Sequence, residues 1–498
     1  MKIFLAAVII LCSADSFSQE KNTIRFPLLS VKDYQHDLQV FRQIYTKANA
    51  GLYKYRTRAR IDSIFAAAAK AITPSTSFLD FYKQLCTIVD FTGSCHNDVQ
   101  LPHEVDSMLT KETAFFPLPV KIISGKALVN IDSSAIPAGA AIISINQVAI
   151  TDIMKSLYKY VTTDGYNVTG KLLYMGDDFP FYYRLEYGPF AQFHVQYMPA
   201  NSHEICTTTL TAINYAAYKK NYARRHSLPT DTTLYRKYAF RTIDPLHTAV
   251  LTVNTFAWGG IKRERHKKYA AFLDSVFKVL KETPSINNLV IDIRKNTGGD
   301  DPNDLLLFSY LATQKYKENK TAFTLFQQVP LKQYYVAEDS TDISELEKDL
   351  KEEHNIFKNG RYYQSPRFNP FWSPKPNAFR GNLYMLTGPA VASAGSLFAA
   401  LVRSEQRAVV IGEETLGGYY GHTGHIPVEY KLPHSGIITG FSIVDLEQWV
   451  KQDPRFPAGR GIMPDHLVPQ TTAGFLNNTD IALNFVLALI RTRATPTR

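Results

Sequence analysis

The chain has 498 residues, of which 45% are hydrophobic, 12% aromatic and 20% charged, with 26 glycines and 26 prolines. That balance excludes a disordered or collagen-like chain and, at this length, implies a folded protein of several domains. The formal net charge is +10, yet acids and bases alternate even in the basic stretch Lys262-Arg263-Glu264-Arg265-His266-Lys267-Lys268. No basic element with interleaved aromatic residues marks a nucleic-acid partner.

Met1-Lys2, the apolar run over residues 3–12 and the stretch Ser13-Ala14-Asp15-Ser16-Phe17-Ser18 have the charged start, short apolar middle and small-residue end of a signal peptide over residues 1–18. Ser16 and Ser18 place cleavage before Gln19, so the mature protein is expected in the periplasm or outside the cell. The apolar run is too short for a permanent membrane span, and no later stretch reaches that length. Cys12 offers a lipid-anchor site, but the bulky Leu11 before it fits that processing poorly; the lipoprotein reading ranks second. Removing the leader leaves Cys86, Cys95 and Cys206, too few and too irregular for a disulfide scaffold or a paired-cysteine zinc site, with one optional bridge.

The mature chain divides into a helical region over 19–115, a β-rich domain over 116–205 and an α/β core over 206–498. In the first, Leu38, Phe41 and Ile44, then Ile61, Ile64 and Phe65, recur at helical spacing. Ser75 and Thr76 are start signals for a helix carrying Phe78, Phe81 and Leu85, and the region ends in the polar turn Phe91-Thr92-Gly93-Ser94-Cys95-His96-Asn97-Asp98. The second region has short strand patterns over 120–123, 127–131 and 141–145 and a helical pattern over 150–160. Its segment Ile136-Pro137-Ala138-Gly139, running on to Ile145-Asn146-Gln147, resembles the later half of a PDZ domain, with Gln147 where that family has glycine. Any small β-rich domain with an Asn turn fits equally.

The core alternates strands expected over 248–253, 289–293, 383–386 and 408–411 with helices over 266–281, 396–403 and 480–493, a pattern of a largely parallel sheet covered by helices. Phe272, Val276 and Leu280 are expected inward. Residues 314–379 form a charged, aromatic insertion with a helix over 343–353.

Three loops follow buried strands, where an α/β sheet presents reactive groups. In Asp292-Ile293-Arg294-Lys295-Asn296-Thr297-Gly298-Gly299-Asp300, paired glycines can form an anion nest or merely a tight turn. In Thr387-Gly388-Pro389-Ala390-Val391-Ala392-Ser393-Ala394-Gly395-Ser396, small residues lead into a helix start, a seat for a nucleophile, although Ser393 or Ser396 capping the helix is the commoner use. In Gly412-Glu413-Glu414-Thr415 and on to His425, His422 and His425 suggest a metal, but the acidic third ligand and the helical register are missing. A flexible rim loop is preferred; no metal and no cofactor is expected.

Together with the strand over 248–253 and the closing Gly461-Ile462-Met463-Pro464-Asp465, these loops resemble the catalytic domain of the S41 serine peptidases, which include carboxyl-terminal processing and tricorn core proteases. That family's Asp-x-Arg-x-Asn-x-Gly-Gly, nucleophile turn, Gly-Glu-x-Thr and Gly-x-x-Pro-Asp elements occur here in order. The resemblance implies a multidomain α/β protein with a crotonase/ClpP-like core, Ser393 as nucleophile, backbone N–H groups of Gly298 and Ala394 as oxyanion donors, and Gly299, Tyr419 and Tyr420 at the substrate. The processing branch has a lysine where Gly418 stands, which argues against a serine–lysine dyad. The tricorn-like branch uses a histidine before the PDZ domain, and His96 matches that placement, with Cys95 where the pattern has serine. A turn histidine satisfied by backbone is the plain alternative for His96. Asp98, Glu413 and Glu447 are weak candidates for orienting it.

The expected function is an exported serine endopeptidase acting on peptides or unfolded protein tails, its oligomeric state undetermined. The alternatives are a catalytically silent S41-like peptide-binding protein and, more remotely, a carbohydrate- or metabolite-binding lipoprotein. The insertion, with Tyr334, Tyr335, Phe371 and Trp372, and the rim over 418–425 are expected to restrict access to Ser393; the alternative is an insertion packed on the outside as a dimer or interdomain surface.

Overall fold

Strands that bury both faces read as near-continuous apolar runs, and Thr248–Val253 and Asn288–Asp292 are buried at every residue. The computed structural model describes residues 26–133, 135–225, 237–339 and 341–494; the signal-peptide reading lies outside them. The central sheet has the order His466–Leu467, Ala408–Gly412, Asn382–Thr387, Asn288–Asp292, Thr248–Val253, Tyr238–Ile243, parallel except for the last pair. Side chains alternate strictly between its faces. Ala249, Leu251, Leu289, Ile291, Leu383 and Met385 pack with Leu273 and Phe277 of helix Glu264–Glu282 and Phe398 of helix Ala394–Ser404. Val250, Val290, Tyr384, Leu386 and Ile411 pack with Val486 and Ile490 of helix Ile481–Ala494. Each aliphatic side chain so buried contributes about 1.5–3 kcal/mol, and the register that delivers this alternation brings the carboxyl ends of three neighbouring strands to one edge. The three reactive loops emerge there. Phe272, expected inward, is only partly buried, against Tyr238.

A second sheet, antiparallel throughout, runs Asp98–Gln100, Ile438–Gln448, Asn319–Thr324, Arg361–Tyr363, Ile356–Lys358, with Thr423–Lys431 also paired to Ile438–Gln448. The N-terminal helices Val31–Ala48, Arg58–Ala71 and Phe78–Thr92 bury Phe41, Ile44, Phe81 and Leu85 in one core with Ala322, Val428, Phe441 and Leu446 of this sheet. Ser77, not Ser75 or Thr76, caps the third helix in a reciprocal box with Asp80. The insertion supplies three strands and helix Asp342–Glu353 to the scaffold, Tyr335 packs on Tyr430, and Phe371 packs edge-on against Trp449. Unpaired strand edges are costly, and residues 319–324 satisfy theirs inside the sheet.

The third sheet comprises Val120–Ile123, Lys126–Val129, Ala141–Ile145, Gln192–Met198 and Cys206–Thr211, with Val148–Ala149 beside the third of these. It continues past the expected boundary at 205. Helices Thr169–Asp177 and Phe179–Tyr187 were not foreseen, because Phe179-Pro180-Phe181-Tyr182-Tyr183 is rich in strand-forming aromatics; Pro180 falls in the first turn, where its missing N–H costs nothing. Cys86, Cys95 and Cys206 are free thiols. Among the described residues no helix is long and apolar enough to cross a membrane.

Candidate active site

Ser393 opens helix Ala394–Ser404 with φ 51° and ψ −133°, a region that costs a residue with a side chain about 1–3 kcal/mol. By position it is the helix N-cap, yet its side chain makes no capping hydrogen bond, so the capping alternative fails for it. Ser396 instead donates its hydroxyl to the Ser393 carbonyl at 2.8 Å. A half-buried serine held in a strained turn, with its hydroxyl uncommitted, has the local features of a nucleophile.

The glycine pair lies against this turn. A Cβ on Gly298, whose φ is 105°, would stand 2.7 Å from Ser393 Cβ and 3.0 Å from Ala394 N. Only glycine permits that approach. The N–H groups differ from expectation, however: Gly298 donates to Asn296 Oδ1 at 2.9 Å, whereas Ala394 N–H, at the helix start, has no partner among the described residues. Of the two assigned oxyanion donors, Ala394 is free and Gly298 is committed to the side chain that shapes its own turn. Gly299 packs so closely on Phe256 and Ala257 that a Cβ would lie 2.1 Å from Ala257 N; its role is close packing of the turn.

His96 follows Gly93, which ends its helix in the left-handed conformation at φ 76°. Gly165 N–H donates to Gly93 O at 2.8 Å, binding this turn to the 164–166 loop. There the fully buried Asp164 accepts from Cys95 N at 3.0 Å and from Gly418 N at 2.9 Å. Gly417 N–H in turn reaches Val391 O at 3.0 Å, and a Cβ on Gly417 would meet Ser396 Oγ and Ala392 Cα. Residues 417–418 thus sit between the His96 turn and the Ser393 turn. Both expected residues flank this one segment, although no hydrogen bond joins them among the described residues.

The His96 ring stacks on His422 at 5.0 Å and 20°, and its Nδ1 lies 3.4 Å from Cys95 Sγ. Burial lowers its pKa below the ordinary value, opposed by the negative charge of Asp164. His422 is driven further down by burial and by the neighbouring histidines, and burial raises the Cys95 thiol. All three are neutral near pH 7. Asp164 is the site residue that sequence reasoning missed, in an ordinary Thr-Asp-Gly turn, and His422, read only as a metal candidate, proves to be the stacking partner of His96. The weak candidates are engaged elsewhere: Asp98 accepts from Gly440 N, Glu413 lies near Lys121, and Glu447 pairs with Lys320.

The rim is not flexible, because residues 421–424 are buried and Tyr419, 1% exposed, is part of the core. Tyr419 packs on Phe456 and donates to Lys451 O; Tyr420 donates to Asp453 O at 2.9 Å. Neither hydroxyl is available to a substrate, although both residues border a cavity of about 820 Å3 that also meets Lys54, Arg361 and Asp445. Gly418 has no room for the lysine of a serine–lysine dyad: its Cβ would lie 2.9 Å from Gly421 O.

Asp164→Asn is expected to destabilise the fold by about 1–3 kcal/mol, because the amide turns a donor toward Cys95 N–H or Gly418 N–H. Denaturant unfolding checks this; a neutral result would show that the clasp is not formed in solution.

The site thus joins a parallel sheet, a strained serine at a helix start and a glycine turn against it. Residues 247–468 match the model of peptidase family S41. Mature CPAF complexed with lactacystin superposes with a TM-score of 0.60 at 12% identity, covering 93% of this chain and 98% of that one. A crystal structure of mature CPAF gives 0.59 at 13% identity, covering 94% and 99%. At these identities the likeness is one of fold. No curated protein matches the sequence.

Proposed function

We propose that the protein is an exported serine endopeptidase in which Ser393 attacks the peptide carbonyl and His96 is the general base, acting on peptides or unfolded protein tails. The observation that carries this reading is the strained, uncapped Ser393 against Gly298 and the unpartnered Ala394 N–H. In the tautomer that carries its proton on Nδ1, beside Cys95 Sγ, Nε2 is the basic nitrogen. Nε2 takes the Ser393 proton as Oγ bonds to the carbonyl carbon; the carbonyl oxygen becomes an oxyanion facing Ala394 N–H and the positive end of the helix. The imidazolium, favoured by Asp164, then protonates the leaving amine, and water releases the acyl group by the reverse proton path. Labelling with a fluorophosphonate followed by peptide mapping tests this, with modification expected at Ser393.

The silent peptide-binding reading draws on the missing Ser393–His96 hydrogen bond. Peptide affinity without labelling or turnover would favour it.

Since His96 works as a neutral base, kcat/KM should fall toward acid with a midpoint below the usual histidine value of about 6.5. Asp164→Asn should move that limb to lower pH, because a charge favouring the imidazolium is removed. A limb above pH ~7 would exclude His96 in this environment. Export is tested by the N-terminus of the purified protein, expected at Gln19; an intact Met1 or a lipid-modified Cys12 would overturn cleavage there.

A further inference from the structure

His425 supplies one third of a cluster that no sequence pattern contains. Its Nε2 lies 2.8 Å from Glu318 Oε1 and its Nδ1 3.2 Å from Asp301 Oδ2, and one donor atom from each of the three residues falls within 4.8 Å of the others. The register of Thr423–Lys431 shifts between Gly424 and Pro427, and His425 takes φ 54° there. Such a bulge re-aims a side chain, here toward a loop and a strand start far away in sequence.

A second observation comes from Asp304. It is fully buried, both carboxylate oxygens lack a hydrogen-bond partner among the described residues, and it lies near Asp301 and Glu318. No lysine or arginine forms an ion pair with any of these three carboxylates among the described residues. A buried carboxyl group whose oxygens have no partner is costly. A divalent cation beside these oxygens would supply the missing partner.

We propose that His425, Asp301 and Glu318, with Asp304 behind them, form a binding site for a divalent transition cation of the zinc type. One imidazole nitrogen with several carboxylate oxygens suits that class. The present separations are those of hydrogen bonds; binding replaces the imidazole proton and draws the donors to about 2.0–2.2 Å. Asp301, whose side chain is 40% exposed, is the entry from solvent. The ion would join the end of the Gly298–Gly299 turn to two strands of the second sheet, Thr423–Lys431 and the start of Asn319–Thr324, a clip on the loop that bears the candidate oxyanion site. Its presence does not depend on peptidase activity.

The test is titration of the metal-stripped full chain with zinc chloride, followed by calorimetry, elemental analysis and thermal unfolding. One zinc per chain and a raised melting temperature are expected. Both should be lost in His425→Ala and in the isosteric Glu318→Gln, weakened at least about 10-fold in Asp304→Asn, and retained in His434→Ala and Cys95→Ala, which disrupt the two other His/Asp groupings. Circular dichroism establishes folding, and Glu318→Gln decides the matter if His425→Ala does not fold. No uptake by the wild type, or uptake unaltered in His425→Ala or Glu318→Gln, overturns the proposal and leaves a histidine–carboxylate network.

Discussion

Ser393→Gly is expected to lose fluorophosphonate labelling and to reduce peptide hydrolysis by about 10^4-fold or more, while making the folded chain more stable. The two effects share one cause. Ser393 holds φ 51° without a capping bond to offset it, and glycine relieves about 1–3 kcal/mol of strain at an entropic cost of about 0.4–1 kcal/mol. The net gain should be about 1 kcal/mol in denaturant unfolding. Ser393→Ala should be equally inactive without that gain. Persisting turnover in either variant would remove Ser393 as nucleophile; lower stability in Ser393→Gly would remove the strain argument while leaving the chemistry open.

Gly298→Ala tests the other side of the site. The new methyl would stand 2.7 Å from Ser393 Cβ and 2.9 Å from Ala392 O, too close for either to stay in place. A displaced nucleophile and a disturbed oxyanion site should lower kcat by about 10^2–10^3-fold, beyond what the backbone strain at φ 105° costs in stability, about 1–3 kcal/mol. Gly188→Ala supplies the comparison: its φ is 88° and nothing lies within 4 Å of the added Cβ. It should show similar strain with turnover intact. Equal losses of activity in both variants would mean that general destabilisation, not the contact with Ser393, is being measured; wild-type turnover in Gly298→Ala would sink the assignment.

The central sheet was legible because a parallel strand buried on both faces is apolar along its whole length, as at 248–253 and 288–292, and because each motif lies within one strand-to-loop passage. Ser393, Gly298 and the helix that follows Ser393 belong to that local grammar. Periodicity states that a segment buries a face but not what it buries it against. For that reason the helices over 31–92 could be read while their partner could not: the antiparallel sheet beneath them joins residues 98–100, 319–324, 356–363 and 423–448, pairings fixed by long-range contacts. The same limit explains the side chains around the site. Tyr419 looks like a rim aromatic until its core contacts are known. Asp164 becomes a clasp only when two loops close on it, and the acidic ligands missing beside His425 arrive from Asp301 and Glu318, more than a hundred residues earlier in the chain. Sequence alone determined the parallel core and the loops that follow its strands, because those depend on neighbours along the chain. Tertiary structure alone decided which buried charges meet, because the cost of burying them is met only by partners that folding brings together.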